Sequence, residues 1–245
     1  MNKKADVVIV GTGVAGLFSA LNLPDDKEII MITKSDAESS DSFLAQGGIC
    51  VLRDEQDYDS YFEDTMRAGH YENRKESVDI MIRSSGKIIE DLVGYGVEFE
   101  KDGEAFAYTR EGAHSRPRIL FHADVTGKEI TSKLLARVRE KNNVTIYEYT
   151  TMTDILEENG KCAGITVKTK SGEESSIYAD YTILASGGIG GLYQHSTNFP
   201  HLTGDALEVA KKHHIRLEHL DYVQIHPTTL YSEKPGRRFL ISESV

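Results

Sequence analysis

Apolar and polar positions along the 245 residues fall into two regimes. Before residue 141, short apolar runs alternate with stretches of helical period. From 144 to 179 the period becomes two. Residues 5–10 (Ala-Asp-Val-Val-Ile-Val) predict a buried strand, and residues 17–23 have helical composition that Pro24 and Asp25-Asp26 stop. Residues 28–33 (Glu-Ile-Ile-Met-Ile-Thr) predict a second buried strand. Strand, glycine turn, helix and strand in that order make a βαβ unit, whose crossover is right-handed.

Residues 35–50 are rich in Ser, Asp and Gly and read as a loop. Residues 57–69 and 75–95 carry helical spacing, and in the second Val78, Ile82, Ile89, Leu92 and Val93 share a face. Residues 100–124 are polar and irregular. A helix is predicted over 130–141, with Asp124 or Thr126 suited to cap it. Strands are predicted at 144–149, 152–157, 162–169 and 175–178, with hairpin turns at Asn159-Gly160 and Ser171-Gly172. A separate strand at 181–186 runs into Gly187-Gly188, and residues 204–213 read as a helix. Residues 217–245 are mixed, interrupted by Pro227 and Pro235, and residues 239–245 form a strand-like run with no polar tail, which reads as a truncation. This order predicts an α/β fold: a Rossmann-like dinucleotide-binding domain with a mostly parallel sheet and an inserted β-meander.

Composition narrows the chemistry. The formal net charge of −11, with both signs mixed along the chain, argues against nucleic-acid binding, which needs basic surface. Cys50 and Cys162 form no CxxC pair, so neither a thiol redox motif nor a zinc site is indicated. No run approaches the roughly 20 apolar residues that span a bilayer, and the N-terminus lacks a signal-type apolar stretch. The expectation is a cytoplasmic protein with no membrane or metal role.

The main chemical signal is Gly11-Thr12-Gly13-Val14-Ala15-Gly16, placed after a strand and opening a helix. Gly11 permits the tight turn, Gly13 lets a pyrophosphate approach the backbone, and Gly16 lets helix and strand pack closely. The helix N-terminus adds free N–H groups and partial positive charge. The acidic residue that usually ends the second strand is replaced by Thr33-Lys34-Ser35, which weakens the case for NAD and leaves FAD or NADP open. A second small-residue loop, Ser42-Phe43-Leu44-Ala45-Gln46-Gly47-Gly48, suits a flat ring or a phosphate, and equally a surface turn. Ala185-Ser186-Gly187-Gly188 ends a late strand. Asp205 is suited either to capping a helix or to accepting from ribitol hydroxyls. Glu111 and His226 stand in polar, non-helical clusters. No HExxH or nucleophile elbow occurs.

Seven segments in order carry a resemblance: 7–17, 45–49 (Ala-Gln-Gly-Gly-Ile), 110–115 (Arg-Glu-Gly-Ala-His-Ser), 122–127 (His-Ala-Asp-Val-Thr-Gly), 185–188, 203–205 and 224–228 (Gln-Ile-His-Pro-Thr). On these the chain resembles the L-aspartate oxidase branch of the flavoprotein family that also holds the succinate dehydrogenase and fumarate reductase flavoprotein subunits. The respiratory subunits attach FAD through a His where this chain has Asp41, so the resemblance implies non-covalent FAD. It implies that Thr12, Gly13, Val14 and Ala15 line the pyrophosphate, that Lys34 contacts the adenosine side, that Asp41 to Gly48 wrap the flavin, and that Asp205 binds near the ribitol. It also implies that Glu111 orients the amino group of L-aspartate and that His226 contacts a substrate carboxylate. The implied reaction oxidises L-aspartate to iminoaspartate with O2 or fumarate as acceptor, for quinolinate and NAD synthesis, with quinolinate synthase as a candidate partner. The implied organisation is an FAD-binding domain over 1–221, lacking a returning C-terminal segment, and the start of a capping domain over 222–245. The next residue of the family pattern would be a catalytic Arg, so this stretch alone is expected to be inactive.

Overall fold

A computed structural model describes residues 2–226 and 228–241. In chain order the elements are β1 (Lys3–Val10), α1 (Val14–Asn22), β2 (Ile29–Ile32), α2 (Asp41–Leu44), β3 (Ile49–Cys50), α3 (Tyr58–Ala68), α4 (Lys75–Gly94), β4 (Lys101–Asp102), β5 (Ala105–Phe106), β6 (Ile119–Leu120), α5 (Thr126–Glu140), β7 (Val144–Tyr147), β8 (Thr150–Glu158), β9 (Lys161–Thr169), β10 (Glu174–Leu184) and α6 (Asp205–Lys212). They form two compact units, Met1–Leu44 with Leu134–Val245, and Ala45–Lys133.

The first unit is built on a six-stranded sheet of order β7-β2-β1-β10-β9-β8. The strands β7, β2, β1 and β10 are parallel, and β9 and β8 continue the sheet antiparallel. The predicted α/β fold with a mostly parallel sheet and a β-meander is therefore the one observed. Central parallel strands bury both faces and lose alternation, and all four residues of β2 are buried. On one face Val8, Val10, Ile30, Ile32, Ile165 and Ile177 share a core with Ala206 and Val209 of α6. On the other, Ile9 lies beneath Gly16 of α1.

Three sequence expectations need correction here. The run at 144–147 is not part of the meander but the parallel edge strand beside β2. The strands expected at 175–178 and 181–186 are one strand, β10, because Asp180 sits at an exposed alternate position and does not break the pleat. The helix expected from 130 starts a turn earlier, at Thr126, and the Thr126 hydroxyl accepts from the His122 N–H. The turn at Asn159-Gly160 is as predicted: both residues have positive φ, +54° and +72°, as a tight hairpin requires.

In the second unit α3 and α4 pack through Tyr61, Met66, Val78 and Ile82. The buried face of α4 is Val78, Ile82, Ser85, Ile89 and Leu92. Val93, expected on that face, is exposed. Ser85 takes a place there because its hydroxyl donates to the Ile82 carbonyl and accepts from the Leu52 N–H. Residues expected to be irregular contain the antiparallel pair β3 and β6, in which Cys50 faces Ile119 and Ile49 faces Leu120.

Gly164 shows how tightly the meander is drawn. Its φ is +131°, and a Cβ there would lie 2.1 Å from the Ile177 carbonyl oxygen of β10. Gly160 also has positive φ, but nothing lies within 4 Å of its Cβ position. Thermal unfolding should therefore show Gly164→Ala losing about 2 kcal/mol or more and Gly160→Ala about 1 kcal/mol. Equal losses would mean that the close approach of β9 and β10 does not constrain the sheet.

Candidate cofactor and substrate site

In the first unit the glycine loop forms where β1 ends. Gly11 has φ +112°, and its added Cβ would sit 2.2 Å from the Ala185 carbonyl oxygen. A Cβ on Gly16 would sit 2.1 Å from the carbonyl oxygen of Gly11. Neither position accepts a side chain, so the loop is drawn against the end of β10 and α1 starts directly over it. The N-cap of α1 is Gly13, which has no side chain to cap it, and no acidic residue stands in its first turn. Its positive end is left for an anion.

The loop opens on a cleft whose walls include Gly11, Thr12, Lys34, Ser40, Thr151, Met152, His201 and Asp205. Thr12 is buried. A Cβ on Gly13 would touch Ser42 Oγ at 3.1 Å, and that hydroxyl accepts the Val14 N–H at 3.1 Å. The buried Ser40 hydroxyl has no partner among the described residues. Beside the bare backbone at Gly13 and the start of α1, the unpaired buried Ser40 hydroxyl in the cleft fits the oxygen-rich phosphate of a dinucleotide.

Lys34 Nζ donates to Asp205 Oδ2 and to Thr203 Oγ1, both at 2.7 Å, and Thr203 Oγ1 donates to Asp205 Oδ1. The two residues that the resemblance separates, adenosine side and ribitol side, are thus joined. Asp205 does not cap α6: Gly204 is the N-cap, with φ +72°, and Asp205 stands in the first turn. Asp41 turns its carboxylate to residues 198–199, accepting from the Phe199 N–H at 3.0 Å and from the Asn198 side-chain amide. Burial raises its pKa, against the opposing pull of the Phe199 N–H, His201 and Arg237. His226 lies in the tail of this unit, where its Nδ1 accepts from the Thr228 N–H.

In the second unit the Ala45–Gly48 and Arg110–Ser115 segments meet. Gly48 packs against β6, where a Cβ would lie 2.3 Å from the Leu120 carbonyl oxygen. Its N–H donates to Glu111 Oε1 at 3.0 Å. A Cβ on Gly47 would lie 3.3 Å from Glu111 Oε2. Glu111, Arg110, His114 and Ser115 line one open pocket. Below it Arg118 is fully buried between Asp57 and Asp64, at 2.8 and 2.7 Å.

Sequence reasoning did not find Ser40, Thr151, Met152 or His201 as cleft residues. None stands in a motif, and only the approach of the 150–152 and 198–203 segments to the glycine loop brings them together. It also did not find the Asp57–Arg118–Asp64 cluster, whose members are dispersed along the chain.

That cluster sets a pH dependence. Burial on its own would raise Asp57 and Asp64, but Arg118 and the Ser60 hydroxyl outweigh it at Asp57, and the Ser115 N–H and Arg118 outweigh it at Asp64. Both carboxyls are held below their ordinary value. A depressed folded pKa gives stability that is present above the unfolded value, near 4, and lost as pH falls through the folded one. The thermal midpoint, followed by tyrosine fluorescence, should fall as pH drops from about 5 to about 2, and Asp57→Asn should flatten that slope. A slope unchanged by the substitution would remove these carboxylates as its source.

A family model described as "FAD binding domain" matches residues 6–245. The chain is 46% identical over its whole length to an L-aspartate oxidase of Clostridium perfringens, covering 56% of it. It is 39% identical to an L-aspartate oxidase of Nostoc, with 98% of this chain and 42% of that protein aligned. The chain thus spans about half the length of these relatives. Among solved structures, the FrdA chain of E. coli quinol fumarate reductase superposes with a TM-score of 0.83 at 25% identity, over 87% of this chain and 37% of that one. The open form of a flavocytochrome c3 fumarate reductase superposes at 0.86 and 22% identity, over 99% and 45%, and so shares the fold. With the glycine loop, the cleft and a family match over nearly every residue, the chain belongs to the FAD binding domain family, and FAD is its cofactor.

Proposed function

We propose that this chain is the FAD-binding part of an enzyme that oxidises L-aspartate to iminoaspartate. The observation that carries the reading is the Glu111 carboxylate, held on the Gly48 N–H at 3.0 Å in a pocket open to solvent. A fixed carboxylate suits the ammonium of an amino acid, which succinate lacks. Asp41 supports it too: a carboxylate engaged with residues 198–199 offers no nucleophile for a covalent flavin link, so FAD is held non-covalently.

When bound, FAD supplies a two-electron acceptor for the hydride that leaves the substrate Cα. The residues of this chain bind and orient. Thr12 to Ala15 and the α1 N-terminus hold the pyrophosphate. The Lys34–Asp205 pair meets the sugar hydroxyls, accepting through Asp205 and donating through Lys34. Residues 41–48 lie along the flavin. Glu111 would accept from the substrate ammonium, and His226 would contact a substrate carboxylate. Residues 1–221 serve as the FAD-binding domain and residues 222–245 begin a capping domain. O2 or fumarate would serve as the electron acceptor, and the product would feed quinolinate and NAD synthesis in the cytoplasm, with quinolinate synthase as its consumer.

The second reading is a fumarate reductase or succinate dehydrogenase flavoprotein subunit, favoured by the superposition on FrdA. Anaerobic mixing of the full-length, FAD-loaded protein with each substrate separates the two. L-aspartate should bleach the flavin absorbance and succinate should not. Glu111→Gln should raise KM for L-aspartate by about tenfold or more, as loss of a charge-assisted hydrogen bond does. Bleaching by succinate alone, or flavin that acid does not release, would support the second reading instead.

A further inference from the structure

Arg118 has five N–H donors and no acceptor. All five are engaged: Nε and Nη2 on Asp57, Nη2 also on Ser60, and Nη1 on Asp64 and on His114 Nδ1. A guanidinium can only donate, so His114 Nδ1 must carry a lone pair. The ring is therefore neutral, with its proton on Nε2, 3.3 Å from Cys50 Sγ. Burial and the Arg118 charge lower the His114 pKa, in the same direction. His114 is thus a fixed prop rather than a titrating base.

Asp64 links this cluster to the loop above it. Its Oδ2 accepts from Arg118, from the Ser115 N–H and from the Ser115 hydroxyl, each at 2.7 Å, while Oδ1 accepts from Arg67. Between Ser115 and Glu111 the chain makes a tight turn. The His114 N–H donates to the Glu111 carbonyl, and Ala113 has φ +69°. An L side chain holds that conformation only where its neighbours impose it. The neighbours here are His114 and Ser115, both tied to the buried charges, and the far end of the turn is the Glu111 carboxylate on the Gly48 amide.

We infer that Asp64, acting through Ser115, is a positioning residue that fixes the 110–115 turn and so aims the Glu111 carboxylate at Gly48. Its effect on substrate rests on the proposed role of Glu111 toward the amino group. Its effect on the Gly48 amide does not.

Native-state amide exchange on the FAD-loaded protein tests this. Ser115→Ala leaves the Arg118 pairs in place and removes one hydrogen bond to Asp64. Gly48 exchange should quicken up to about tenfold, the size of one net hydrogen bond, with little change in melting temperature, and Ser115→Thr should restore it. Asp64→Asn should act in the same direction and more strongly. If it does not fold, the Ser115 pair decides. In the same variants of the full-length protein KM for L-aspartate should rise several-fold while kcat holds. Gly48 exchange unchanged by Ser115→Ala overturns the inference. Faster exchange with KM unmoved, in Ser115→Ala and Glu111→Gln alike, keeps the positioning role and rejects the substrate role of Glu111.

Discussion

The fold of the first unit turns on a contact between backbones. At the end of β1 the Gly11 N–H donates to Ile32 of β2, and the Ala185 N–H of the β10 exit donates to Val10. Three parallel strands therefore end at the same level, and the chain must leave between them with no side chain to spare. Gly11 and Gly16 allow this because neither carries a Cβ, which in each case would overlap a carbonyl oxygen. Backbone N–H groups are then presented at the sheet edge, and the cleft with Lys34, Ser40 and Asp205 opens beside them. The same constraint that packs the helix on the sheet makes the phosphate site.

The second unit solves a different problem. It must hold a polar loop in a set shape with few apolar groups to anchor it. A fully buried Arg118, saturated by two carboxylates, a hydroxyl and an imidazole, supplies the fixed point. Burying these charges is costly unless every donor is matched, and here each is. What the arrangement contributes is orientation: the loop that carries Glu111 is tied to it at Ser115.

How much of this was legible in the residues depends on how local the cause is. The βαβ start, the glycine loop and the Asn159-Gly160 hairpin follow from adjacent residues and were readable. The two-residue strand Ile119–Leu120 is too short to show a period, and it forms because Gly48 lets β3 approach it. The continuity of β10 was hidden by Asp180, a polar residue at a position where polarity is allowed. In the site, Gly11 to Gly16, Glu111 and Asp205 stood out by motif or resemblance. Their partners did not: Ser40, Thr151 and His201 reach the cleft only through tertiary structure, and nothing in the spacing of Asp57, Asp64 and Arg118 signals that they meet. The Lys34–Asp205 pair was readable as two residues and not as a pair.

The glycine loop and its cleft should bind FAD reversibly. Titration of the protein with FAD, read by quenching of flavin fluorescence, tests it most directly when wild type and Gly13→Val are compared and the bound flavin is then released with acid. Wild type should bind saturably and release all flavin to acid, and Gly13→Val should lose binding with the fold retained by circular dichroism. Equal affinity in the two proteins, or flavin that stays with the precipitated chain, would contradict this.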